Sequence, residues 1–139
     1  MTTQSTVSAM AFDFGTRYIG IAVGQNVTGT ATALETVKVR GGKPDFAWIE
    51  KLITQWQPDV LVVGEPLNMD GTEQELTALA RRFSRQLNGR FSLPVELVDE
   101  RLTSVEAKHE IEALGIKGMD DHPIAAKIML ESWFAEQKR

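Results

Sequence analysis

Hydrophobic and polar positions change period along this chain, and each change marks an element. From Ser8 to Phe14 the run is apolar, with Ala9, Ala11 and Asp13 on one face of an extended segment and Met10, Phe12 and Phe14 on the other. This predicts a strand that ends in a carboxylate. After a tight Gly15-Thr16 connection, Ile19, Ile21 and Val23 alternate with Gly20, Ala22 and Gly24, giving one bulky face and one nearly bare face that admits another backbone closely. Ala31–Val39 reads as a third strand, closed by a Gly41-Gly42-Lys43-Pro44 turn.

The period then becomes helical. Asp45 can cap a helix carrying Phe46, Ile49, Leu52, Ile53 and Trp56 on one stripe, which Pro58 stops. Val60–Val63 is apolar without alternation, as in a central parallel strand covered on both faces. Thr72 to Glu75 has capping-box spacing, and Leu76, Leu79, Ala80, Phe83 and Leu87 form a stripe up to an Asn88-Gly89 stop. A strand at Val95–Asp99 follows, then a second capping box at Thr103 to Glu106, a helix ending near Gly115, a loop, and a last helix from about Pro123. At 100° per residue, Ala126, Met129 and Trp133 centre the inward side of that helix and Lys127, Glu131 and Lys138 the wet side. Extrapolated back one turn, His122 points inward, Asp121 lies at the edge and Asp120 points outward. Three antiparallel strands followed by strands alternating with helices predict an α/β fold with a five-stranded mixed sheet.

A chain of 139 residues fits one domain, 1–139, with residues 1–7 as a flexible tail. The absence of cysteine excludes disulfides, thiolate metal sites and a cysteine nucleophile. No apolar run is long enough for a membrane span and the N-terminus lacks signal-peptide order, so a cytoplasmic protein without membrane partners is expected. The net charge of −4 denies the chain a general attraction to nucleic acid. Any polyanion must be met by a local basic patch or by bound cations.

Acidic residues cluster where elements begin or end: Asp13, Asp99-Glu100, and Asp120-Asp121-His122. Ligands of open α/β sheets collect outside the carboxyl ends of the strands, and Asp13 belongs to that rim. It continues an inward-facing row, where a carboxylate needs a donor or a cation. Asp121 also reads as a helix cap, His109 as a solvated surface group, and Glu65 equally as a rim carboxylate or a loop residue. Arg17, Arg101, Lys38, Arg40 and Lys43 are candidates for tracking a phosphate backbone, whereas Arg81, Arg82 and Arg85 complement a helix dipole and solvate it. Asn68, Asp70 and Gly71 suit a turn on the rim of Asp13. The stretch DFGTRYIGIAVG would also suit a phosphate-cradling turn of an actin-like ATPase, but that chemistry needs two facing domains and the length allows one.

The segments AFDFGTRYIGIAVG, VVGEPLNMDGTE, VDERLTSVEA and HPIAAKIMLESWF, in this order and covering nearly all of residues 9–134, resemble the YqgF/RuvX family of RuvC-like nucleases. The resemblance implies a ribonuclease H-like fold, a five-stranded mixed sheet flanked by helices, and a role in maturing the 5′ end of the 16S ribosomal RNA precursor. It carries metal-binding carboxylates onto Asp13 and onto the acidic pair of DER, with Glu100 preferred as ligand and Asp99 in reserve. The last motif departs from the family's DxxAA pattern, having His122 in place of the aspartate. Related resolvases resemble this chain in placing histidine there; a shift of register would recruit Asp121 instead. Two Mg2+ or Mn2+ ions would be weakly held without substrate, Asp13 bridging both, Glu100 on one, and His122 or Asp121 on the other or orienting the attacking water. The expected partner is precursor ribosomal RNA or another structured nucleic acid, met by a monomer or weak dimer. Two alternatives stand beside it: a Holliday-junction resolvase, and a catalytically weak RNA-binding or transcription-associated factor.

Overall fold

The bare face of the second strand decides how this sheet is covered. The computed structural model describes residues 6–100 and 121–137. In chain order the elements are β1 (Ser8–Phe14), β2 (Tyr18–Gln25), β3 (Thr30–Arg40), β4 (Lys43–Pro44), α1 (Phe46–Trp56), β5 (Val60–Glu65), α2 (Glu75–Phe91), β6 (Val95–Asp99) and α3 (Asp121–Gln137). They build a mixed sheet of order β4-β3-β2-β1-β5-β6. β1 is central, antiparallel to β2 and parallel to β5, and β5 is parallel to β6.

There are six strands where five were expected. Gly41 and Gly42, at φ 57° and 76°, form a left-handed turn that folds Lys43-Pro44 back onto Val39-Arg40. The supposed closing turn thus includes a short edge strand, and proline is tolerated there because its missing N–H is not needed at an edge.

Alternation divides the core between the two faces of the sheet. Met10, Phe12, Ile19, Ile21, Leu61 and Val63 pack under α1 and α2, against Ile49, Leu52, Ala80, Phe83 and Leu87. On the other face Ala9, Ala11, Ala22 and Ala31 meet Ala126, Met129, Leu130, Trp133 and Phe134 of α3. Small side chains let that helix settle almost onto the strands. A Cβ placed on Gly20 would lie 2.0 Å from the carbonyl carbon of His122, and one on Gly24 would lie 3.0 Å from the Phe134 ring. Close seating buries α3 on most of its circumference, so its wet side is narrower than its charges suggested: Lys127 and Glu131 are half-buried, and Glu131 accepts a hydrogen bond from the Ala31 amide at 3.0 Å.

Helix ends differ from their expected places in instructive ways. Asp45 caps α1 as expected, accepting from the Trp48 amide at 3.1 Å. Thr72 does not cap α2; it closes the preceding turn on Asp70, and the helix starts at Glu75, where the Thr77 hydroxyl accepts from the Gln74 amide and donates to the Pro66 carbonyl. α2 also runs past Asn88-Gly89 to a left-handed Ser92. Trp56 and Leu79, expected on buried stripes, are 41% and 40% exposed, and Thr77 and Ser84 are buried instead. Val7 is not a free tail residue: its amide donates to the Asn26 side chain and its carbonyl accepts from the Asn26 amide. The expected second capping box at Thr103 to Glu106, its helix and His109 lie outside the described residues. Among the described residues no helix is long and apolar enough to cross a membrane.

Candidate active site

Three of the candidate side chains, Asp13, Glu100 and His122, reach one place because the strand alternation and the seating of α3 agree. Asp13, at the carboxyl end of β1, continues the Ala9/Ala11 row and so faces α3; its partner across the hairpin is Gly20. On β6, Glu96 receives the Trp133 indole N–H at 3.4 Å and Val98 packs on the α3-side cluster. Glu100, two residues further, falls on that face, and Asp99 falls on the other. His122 stands in the first turn of α3, where the bareness of Gly20 lets its backbone rest on β2.

Asp13 and Glu100 leave strands that are separated by β5, so one of them must reach across it. The crossing is made over Gly64, which lies beside Val98 in register: a Cβ there would sit 2.4 Å from Glu100 Oε1, 2.8 Å from its Cγ and 2.8 Å from Met129 Sδ. Reading the sequence missed this residue. The available signal was a glycine inside the apolar run VLVVGE, since a glycine within a strand marks close approach by another group.

Glu100 is pushed up to about 8, first by burial, then by the charge of Asp13, a hydrogen bond to Asp13, and the charge of Asp99. At neutral pH it holds its proton and donates it to the Asp13 carboxylate. His122 Nδ1 lies 3.3 Å from Asp13 Oδ2, with the two side chains 30% and 21% exposed, and the Tyr18 ring lies 6.0 Å from the imidazole. An Nδ1–H donated to the carboxylate leaves Nε2 as the basic nitrogen of the neutral ring. Two pairs therefore share Asp13. Among the described residues no group of three His, Asp or Glu side chains is arranged to hold a metal ion, so the expected three-ligand cage is present only as these pairs. The donor set still fits Mg2+ or Mn2+, which one or two carboxylates bind together with waters and substrate phosphates.

Other candidates fall elsewhere. Glu65 is no ligand to this site: its carboxylate takes the Arg81 Nε at 2.6 Å, and Arg81 Nη1 reaches Glu73 at 3.0 Å. Its hydrogen bonds to these two carboxylates hold the guanidinium more firmly charged than usual. Arg81, read as a solvating surface group, instead clamps the loop after β5 to its strand. Arg17, Lys38 and Arg40 are exposed around the same end of the sheet, Lys38 opposite Tyr18 in register and the Arg17 carbonyl accepting from the Val39 amide. Asp121 is the first residue of α3; its side chain, like Arg101, lies outside the described residues.

Comparison with known proteins supplies the family and the kind of fold. The family model of RuvX, described as "Holliday junction resolvase", matches residues 7–136. A protein of Glaesserella parasuis serovar 5 named "Putative pre-16S rRNA nuclease" is 58% identical over 135 residues, covering 94% of this chain and 97% of that relative. One of the same name from Pectobacterium atrosepticum is 53% identical, covering 96% and 99%. Among solved structures, Thermus thermophilus RuvC in complex with a Holliday junction substrate superposes with a TM-score of 0.62 at 17% identity over 95% of this chain and 96% of that one. The Fowlpox virus resolvase in its Holliday junction complex gives 0.59 at 13% identity over 95% and 99%. These two show a shared ribonuclease H-like fold of the RuvC kind. With a family match over nearly its whole length and relatives above half identity, this chain belongs to the RuvX family.

Proposed function

We propose that this protein is a divalent-metal-dependent nuclease that hydrolyses phosphodiester bonds in structured RNA and processes the 5′ end of the 16S ribosomal RNA precursor. The observation that carries the reading is the meeting of Asp13, Glu100 and His122 on one face at the carboxyl end of the sheet. The names of the two relatives point to the same substrate. Asp13, Glu100 and, in reserve, Asp99 would hold Mg2+ or Mn2+, with His122 or Asp121 completing the set. Bound there, the metal supplies neutralisation of the phosphorane charge and a more acidic water. Asp13 is the central group, because both other side chains are organised around its carboxylate. Glu100 holds its proton on the buried side of the site and would release it to serve as a metal ligand. His122, oriented by Asp13, presents Nε2 as a base able to accept a proton from an attacking water. Arg17, Lys38, Arg40 and Arg101 would align the phosphate backbone.

The test is cleavage of an RNA carrying the 16S 5′ leader, with a four-way DNA junction assayed in parallel because the fold is shared with junction resolvases. Wild type with Mn2+ is expected to cut the RNA, and Asp13→Asn to lower the rate by about a thousandfold or more. Preferential junction cleavage would favour the resolvase. Equal residual activity in wild type and variant would leave a binding factor without hydrolysis.

A further inference from the structure

We propose that the groove between the outer edge of β3 and the start of α1 holds an unpaired nucleotide of the RNA strand engaged at Asp13, its base on Trp48 and its phosphates on Lys38, Arg40 and Lys43. This deepens the nuclease reading and rests on it for the identity of the strand.

The groove exists because β4 is short. It pairs only with Val39 and Arg40, leaving the edge of β3 before Lys38 beside α1, with a cavity of about 570 Å³ between them. That volume is within the range of small-ligand sites. Its lining brings together three of the chain's fifteen Lys and Arg residues, although the whole molecule is acidic. Among the described residues none of Lys38, Arg40 and Lys43 is engaged in an ion pair. The two carboxylates that also line it are directed to Trp48: Glu35 accepts the indole Nε1–H and Asp45 accepts the backbone N–H. The ring is therefore held in place while remaining 41% exposed, with Lys51 Nζ 5.2 Å from its centroid. A fixed, exposed indole among cations is a stacking platform beside phosphate contacts, the pairing by which single strands are bound.

Position links the groove to the acidic site. Lys38 is opposite Tyr18, whose ring is 6.0 Å from His122. β3 lies two strands from β1, about 10 Å away. The other exposed tryptophan of α1, Trp56, is a built-in contrast: it borders a groove at the opposite end of the strands, lined by Ser8, Gln25, Thr28 and Thr30 without a charged side chain.

The experiment measures binding of a fluorescein-labelled twelve-nucleotide single-stranded RNA to the whole protein in EDTA, by anisotropy and tryptophan quenching, with Mn2+-dependent cleavage followed separately. Trp48→Ala is expected to weaken binding about tenfold, Trp48→Phe to retain it within about threefold while abolishing most of the quenching, and Trp56→Phe to change neither. The double variant Lys38→Gln, Lys43→Gln leaves the indole in place and is expected to weaken binding and flatten its salt dependence. Wild-type affinity in both Trp48→Ala and the lysine double variant, or no RNA binding by wild type, would overturn the groove. Cleavage reports on the other reading independently. Trp48-dependent binding without hydrolysis would sink the nuclease and keep the groove; hydrolysis indifferent to both groove variants would do the reverse.

Discussion

Glu100 keeps a proton at neutral pH because its carboxyl is buried beside a second acid, and this has a consequence for stability with a definite sign. Unfolded, the group would titrate near the ordinary 4.5; folded, it does so near 8, so between these values the folded state holds more protons. Stability then falls as pH rises through that window. Glu100→Gln removes the term, and the variant is expected to match wild type near pH 4 and exceed it by on the order of a few kcal/mol at pH 9 in denaturant titrations. A constant difference across pH would contradict the assignment. The same proton must leave when a cation enters. Calorimetry of Mn2+ uptake in buffers of different ionisation enthalpy should show release approaching one proton near pH 7 and little above pH 9. Gly64 belongs to this scale as well. Gly64→Ala is expected to cost about 1–3 kcal/mol, leave the fold intact, and lower hydrolysis by tenfold or more, because the Glu100 carboxylate is pushed from its crossing. Wild-type turnover in a folded Gly64→Ala would show that the crossing is not needed.

At the scale of elements, α3 and β2 form one unit. The Gly20-Ala22-Gly24 row was legible because period-two alternation exposes a bare face to inspection, and the structure puts a helix there. Gly20→Ala drives a methyl into the main chain of His122 and Pro123, which no rotamer change can relieve. The expected loss is about 3 kcal/mol or more, with His122 displaced from Asp13, visible as a fall in Tm together with lost hydrolysis. Helix ends were less legible. Thr72 has the right spacing for a cap, but Asp70 competes for its hydroxyl and amide within a tight turn, and local side-chain bonds of this kind displace a helix start by several residues. Lys43-Pro44 could not be read as a strand because two residues carry no period.

For the whole molecule, net charge and local charge act in opposite directions. A body of charge −4 repels a polyanion, so the proposed attachment calls on bound cations or on the basic side chains near Asp13 and the β3 edge. If Arg17, Lys38, Arg40 and Lys43 each neutralise one phosphate, the logarithm of the single-strand binding constant should fall against the logarithm of salt with a slope of about −3. A slope near zero would remove the patch from the interface.

The order of the described elements other than β4, the direction of Asp13 and His122 toward a common side, and the family itself were readable along the chain, since periodicity and motifs are properties of the sequence order alone. The choice between Glu100 and Asp99 was not derivable from periodicity alone, because alternation says that the two point to opposite faces but not which face α3 covers. The passage over Gly64, the Arg81 clamp on Glu65 and the Trp48 groove were likewise hidden. Each depends on the distance between side chains from separate elements, and such distances exist only once strand register and helix seating have been set by packing.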